Sequence, residues 1–270
     1  MRAKLKPFHL GILILGVLLG TAVLAPWLSP SSPSEVNLQA ALSFPGRQHP
    51  CGQDPLGRDV LSRLLYGARI SVIVGFSTVA VSLTLGTLLG FAAGFYGRFL
   101  DEAIMRLVDV LLAFPGILLA IALSAILGPS PRNVILALCA TGWVPYARIV
   151  RVQVLALRSA DFVQAARSLG VGDWRMLYRH LLPNLLAPLI VEATFGIAGA
   201  ILGEAGLSFL GLGVQPPTPS WGSMLNEGRQ FLLVAPHLTL VPGAAIMTVV
   251  LGLNFMGDGL RDRLDVKGES

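Results

Sequence analysis

Three carboxylates stand where carboxylates are expensive. Glu192 and Glu204 interrupt an apolar run from Asn184 to about Gly206, and Asp109 is the one charge between Leu107 and Leu127. A carboxylate at mid-bilayer costs about 2.5–3.5 kcal/mol on insertion scales, so each should face protein or water rather than lipid. Twelve residues separate Glu192 from Glu204, roughly 18 Å of helix that brings both to a similar side. Such groups suit a polar route through a membrane. Arg106, three residues before Asp109, shares its helix face and could pair with it near the end of that span. The recognisable catalytic motifs are absent: the chain has no Gly-x4-Gly-Lys-Ser/Thr phosphate loop, no His-Glu-x-x-His, no Gly-x-Ser-x-Gly elbow and no Cys-x-x-Cys. His49 beside Cys51 is too small a ligand set to predict a metal, and two cysteines, Cys51 and Cys139, make no disulfide framework.

The elements that must position these groups are apolar blocks. The 270 residues are 54% hydrophobic and 13% charged, where soluble domains carry roughly 25% charge. One soluble core cannot absorb such blocks, so lipid is the expected solvent for much of the surface. About 20 apolar residues cross the hydrocarbon. Six stretches qualify: Leu10–Leu28, Ile70–Tyr96, Leu107–Leu127, Asn133 to about Val152, Asn184 to about Gly206, and Leu238–Gly257. The predicted fold class is therefore an all-α integral membrane protein of about six transmembrane helices. The first stretch has a basic start and small residues at Ala22 and Ala25, as a cleaved signal would, but its length and Pro26 favour a retained helix. Arg148 and Arg151 could snorkel at the end of the fourth span. Residues 1–69 read as an N-terminal helix with an external segment, and 70–270 as the main transmembrane domain.

Charge sets the orientation. With the N-terminus inside, the 20 Lys and Arg divide 14 inside to 6 outside, which places both termini in the cytoplasm. Arginines bordering apolar spans also explain the +5 net charge without nucleic acid. In the first outer loop, Asp59 is a plausible cap for an amphipathic helix from Val60 to Gly67, with Val60, Leu61, Leu64 and Leu65 on its apolar face. Gly86, Gly90 and Gly94 recur every four residues and predict a close helix crossing.

The most informative stretch is Ser159 to Asn184, on the predicted cytoplasmic side. Asp161 and Gln164 have capping-box spacing, and Gly170 suits a left-handed helix end. Phe162, Ala165, Ala166 and Leu169 fall on one face. Asp173 can cap a second helix running into the fifth span, with Pro183 near the boundary. A short, stiff, basic helix pair of this kind could transmit force from a soluble partner, or could lie on anionic headgroups.

This stretch resembles the EAA loop of permease subunits in binding-protein-dependent ABC importers. Ala165, Ala166, Gly170, Leu182 and Pro183 fall on the fixed positions of that pattern. Gln164 replaces its leading Glu, losing a charge, and His180 replaces an apolar residue. Further blocks are similar to the C-type permeases of dipeptide, oligopeptide and nickel importers: Asp54–Arg63, with Gln53 in place of Thr, then Asp109–Pro115, Gly203–Gly213, Pro216–Leu225 and Gly257–Asp265. The resemblance covers about residues 50 to 265. It implies a type I importer permease core in a prokaryotic inner membrane, paired with a second permease, two ATP-binding subunits and an extracytoplasmic substrate-binding protein. It implies no cofactor in this chain, ATP being bound by the partner subunits. By the same resemblance, Asp161, Gln164, Ala165, Ala166, Gly170, Asp173, Leu182 and Pro183 would couple to an ATPase. Glu192, Glu204 and Asp109 become candidates for the translocation path, packing against the second permease being the alternative for the two glutamates. Pro216, Pro217, Pro219 and Trp221 lie in the last outer loop and would either dock the binding protein or anchor at the interface. A secondary transporter would need its own driving-ion site and inverted repeats, and a membrane enzyme would need a polar cluster at one depth. Neither feature is evident.

Overall fold

The structure, a computed structural model, describes residues 5–265. Arg2, Lys4 and Lys267, which enter the orientation argument, lie outside the described residues.

Helix α1 (Leu5–Leu28) and helix α11 (His237–Asp265) run antiparallel in close contact. A Cβ on Gly11 would fall 2.4 Å from the Gly252 carbonyl, and one on Gly252 would strike Ile14. Helix α2 (Val60–Tyr96) is the central strut. Its 37 residues extend to about 55 Å, well beyond a hydrocarbon core of roughly 30 Å. The expected separate helix from Val60 to Gly67 is simply the first two turns of α2. Asp59 does cap it, accepting from the Ser62 amide at 2.7 Å. The buried face of those turns carries Ser62 and Arg63 as well as Val60, for a reason given below.

Helices α3 (Arg98–Leu112) and α4 (Gly116–Leu127) replace the single third span and meet at 87°. Pro115 and Gly116 supply the break, because proline disfavours helical geometry in the residue before it. Helix α5 (Pro131–Gly142) continues after Trp143 as α6 (Val144–Leu157), together one 27-residue span. The glycine ladder of α2 packs on this element. Cβ atoms on Gly86, Gly90 and Gly94 would come within 2.5, 2.4 and 2.9 Å of the carbonyls of Trp143, Ala147 and Arg151. That register makes α2 and α6 parallel. Helix α9 (Leu182–Phe209) runs antiparallel to α2, its Ile197 and Ile201 packing on Gly75.

Among the described residues, five helices are long and apolar enough to cross a membrane, and counting the bent α3–α4 pair makes six. One end of the bundle carries the start of α1, the end of α11 and the C-terminal ends of α2 and α6. The other carries residues 29–59 and α10 (Trp221–Gly228). Arg151 does not reach for headgroups. It grips Asp101 of α3 with two hydrogen bonds, 2.5 and 2.8 Å, while Arg148 is exposed.

Candidate functional site

At the end that carries both described termini, the chain between α6 and α9 folds into α7 (Asp161–Ser168) and the single turn α8 (Asp173–Arg175). Capping at the start of α7 differs from expectation. Ala160 is the cap residue and Asp161 the first helical residue, where its carboxylate meets the positive end of the helix dipole. Gln164 reaches back to the Ser159 carbonyl at 3.0 Å rather than to an amide. The other end is closed as Gly170 suggests. With Gly170 at φ 74°, its amide bonds to the Arg167 carbonyl at 2.9 Å and the Val171 amide to the Ala166 carbonyl at 3.1 Å. These are the two bonds of a Schellman motif. A side chain at Gly170 would meet open space, so glycine is needed there for its backbone conformation.

After Gly172, which caps α8 in place of Asp173, a π-helical turn from Met176 to Leu181 leads into α9. Asp173 to Phe209 is thus one helical rod of 37 residues, a single candidate membrane span that begins within this connection. Pro183 lies inside this rod, just after the π-helical turn, the kind of local adjustment that accommodates a proline within a membrane helix. Two contacts tie the pair to the end of α2. Tyr96 Oη donates to Asp173 Oδ2 at 2.5 Å, and the Arg167 guanidinium lies 4.3 Å from the centre of the Phe95 ring. Both outlying positions are therefore braced.

The inward face of α7 is Val163 and Ala166, buried in the same cluster as Phe91, Phe95 and Leu177. Ala165, Phe162 and Leu169 point outward, so the predicted apolar stripe is split between core and surface. Leu169 is 84% exposed and Trp174 64%, the latter stacked on an exposed Tyr178. A surface of Phe162, Leu169, Trp174 and Tyr178 interleaved with Arg167, Arg175 and Arg179 is an interaction surface in composition.

The three intramembrane carboxylates part company. Glu204 is wholly buried; Ser208 Oγ donates to it at 2.7 Å and accepts from the Val214 amide at 3.0 Å. It knots the end of α9 to the following loop and faces no open route. Glu192 is half-buried and lines an open cleft of about 490 Å³ with Gln153 and Arg261. Asp109 lies on the exposed side of α3. Its expected partner Arg106 instead bonds to Glu102 at 3.0 Å, one helical turn in the other direction.

At the opposite end lies a cluster that no local pattern announces. Arg58 and Arg63 are buried between Asp54 and Glu227. Arg58 Nε donates to Asp54 Oδ2 at 2.5 Å and its Nη2 to Glu227 Oε2 at 2.7 Å; Arg63 Nη2 reaches both Glu227 oxygens at 3.0 and 3.1 Å. This binds α10 to the start of α2 and explains the buried polar face there. Trp221 belongs to the same joint. It is 3% exposed, stands against Gly67 and donates Nε1–H to the Leu64 carbonyl at 3.0 Å. It is therefore no interfacial anchor. Pro219 is buried too, and Pro216 and Pro217 remain exposed.

A helical bundle of five or six candidate spans among the described residues, with a braced helix pair at one end, is an integral membrane protein. Residues 86–267 match the family of binding-protein-dependent transport system inner membrane components, and the chain belongs to that family. It is 48% identical to the dipeptide transport system permease protein DppC of Alkalihalophilus pseudofirmus, over 99% of this chain and 88% of that one. It is 47% identical to the glutathione transport system permease protein GsiD of Pectobacterium atrosepticum, over 84% and 75%. An inward-facing structure of the MetNI methionine ABC transporter shares the fold, with a TM-score of 0.57 at 18% identity over 75% of this chain and 96% of that chain.

Proposed function

We propose that this chain is one of a pair of permease subunits in an ATP-driven, binding-protein-dependent importer of short peptides. The observation that carries the reading is the braced helix pair α7–α8, apolar and aromatic on its outer side and continuous with a transmembrane rod. On this reading the pair, from Asp161 through Ala165, Ala166 and Gly170 to Pro183, docks on a separate ATPase, which binds and hydrolyses the ATP. Closure of two ATPases then moves α9 directly and α2 through Tyr96 and Phe95. Residues 70–270 are the permease domain, residues 1–69 its N-terminal helix and outer segment, and both termini face the cytoplasm. Peptides are favoured over nickel because relatives nearly half identical carry dipeptide and glutathione names. Glu192, the one intramembrane glutamate at an open cleft, lines the path, and Pro216 and Pro217 offer the exposed outer rim to the binding protein.

The test is uptake of labelled dipeptide into proteoliposomes holding the purified complex and its binding protein. Uptake should require ATP, and Glu192→Gln should lower it, since an intramembrane charge facing a water-filled space marks a substrate pathway. Uptake that proceeds without ATP would show a secondary transporter instead.

A further inference from the structure

Glu192 borders a second space. Deeper along α9, a cavity of about 220 Å³ opens between α2, α5, α6 and α9, lined by Thr78, Ser82, Tyr146, Glu192, Gly142 and Gly196. Its polar atoms are unusual. The hydroxyls of Thr78 and Tyr146 are buried and have no hydrogen-bond partner among the described residues, and Ser82 faces the Cys139 thiol, a weak partner. Buried hydroxyls are ordinarily satisfied, so three together in one cavity mark a place built for something that enters. The glycines keep it open. A Cβ on Gly196 would fall 2.3 Å from Tyr146 Oη, and one on Gly142 2.6 Å from Ser82 Oγ. Gly196 lies one turn beyond Glu192 on the same face of α9, so the tyrosine hydroxyl and the carboxylate address the same space.

The donor set decides the ligand class. One carboxylate and three hydroxyl oxygens offer acceptors and net negative charge, with no cationic side chain among the lining residues. An anion would meet repulsion there. A protonated primary amine donates three hydrogen bonds and carries the compensating charge. We propose that this cavity is a subsite for a primary ammonium group, that of the amino terminus of a peptide in transit. It rests on the reading of Glu192 as a path residue. The cleft shared with Gln153 and Arg261 is the aqueous approach, and Glu192 stands at the junction of the two spaces.

The experiment places a cysteine in the cavity of the intact complex. Ser82→Cys, and separately Thr78→Cys, are made with Cys51 and Cys139 replaced, and each variant is first required to elute from a sizing column like its parent. Alkylthiolation by the cationic 2-aminoethyl methanethiosulfonate is compared with that by the anionic 2-sulfonatoethyl reagent. The cationic reagent should react about tenfold faster, Glu192→Gln should abolish that preference, and glycylglycine should slow the reaction where N-acetyl-glycylglycine does not. Equal rates, no reaction with either reagent, a preference that survives Glu192→Gln, or slowing by methylammonium but not by glycylglycine would each overturn the proposal. ATP-dependent uptake is scored separately in the same preparations. Its absence beside an intact charge preference would count against the importer reading and leave the subsite standing.

Discussion

Arg63 is 1% exposed, yet it needs no apolar substitute because Asp54 and Glu227 flank it. Without Arg63, Arg58 is left to balance both carboxylates, and the cluster carries a net negative charge in low dielectric. Arg63→Ala should therefore lower the stability of the purified protein by about 3–5 kcal/mol, read as a fall in the thermal midpoint in detergent. The exposed Arg69 is the internal control, and its alanine variant should stay within about 0.5 kcal/mol of the parent. Cys51 provides a second residue-scale reading. Burial first, and then the nearby Asp59 carboxylate, push its thiol above the ordinary range. Only the thiolate attacks, so maleimide labelling of Cys51 at neutral pH should be slower than that of an exposed thiol and should climb steeply between pH 7 and 9. A rate that levels off near pH 8.5–9, as for a thiol of ordinary pKa about 8.5, would show the thiol to be unperturbed. None of this was legible in the local sequence. Arg58 and Arg63 were visible as outer-loop charges within the Asp54–Arg63 block, but their pairing was not, because Glu227 lies more than 160 positions away. Trp221 was read as an outer-loop residue for docking or anchoring because its pocket, made by Gly67, is equally remote.

At the scale of elements, the glycines separate two physical causes. Gly90 sits where a Cβ would fall 2.4 Å from the Ala147 carbonyl, whereas Gly170 has open space and φ 74°. Gly90→Leu should force α2 and α6 apart and cost about 1–3 kcal/mol or more. Gly170→Ala should cost only the strain of the left-handed conformation, about 1 kcal/mol. Paired unfolding curves would check both, and equal losses would show that the crossing is not steric. The ladder of Gly86, Gly90 and Gly94 was legible because four-residue spacing maps directly onto a helix face. Gly170 was legible for a similar reason, since a left-handed end is a local property. The break at Pro115 was written in the chain too, but length and hydropathy outweighed it. The stripe on α7 misled because its hydrophobic residues serve two surfaces: Val163 and Ala166 the core, Phe162 and Leu169 the outside.

For the whole molecule, composition was the strongest guide. Continuous apolar blocks of about 20 residues with few charges read as helices in lipid, and that much could be read before any geometry. What the blocks could not specify is how their polar intruders divide the work. Glu192 and Glu204 look equivalent in sequence, twelve residues apart on one helix side. Tertiary packing seals Glu204 against Ser208 and leaves Glu192 at an open cleft. On the proposed reading the functional weight falls on the α7–α8 pair, where exposed Leu169, Trp174 and Tyr178 would meet the partner. The most direct measurement is affinity purification of the chain from its native membrane in mild detergent, with mass spectrometry of what stays bound. The account predicts recovery of a second permease and one or two ATP-binding subunits, with the ATP-binding subunits lost when Leu169 and Trp174 are replaced by aspartate while the second permease remains. Recovery of the chain alone, or ATP-binding subunits held undiminished by that double variant, would contradict it.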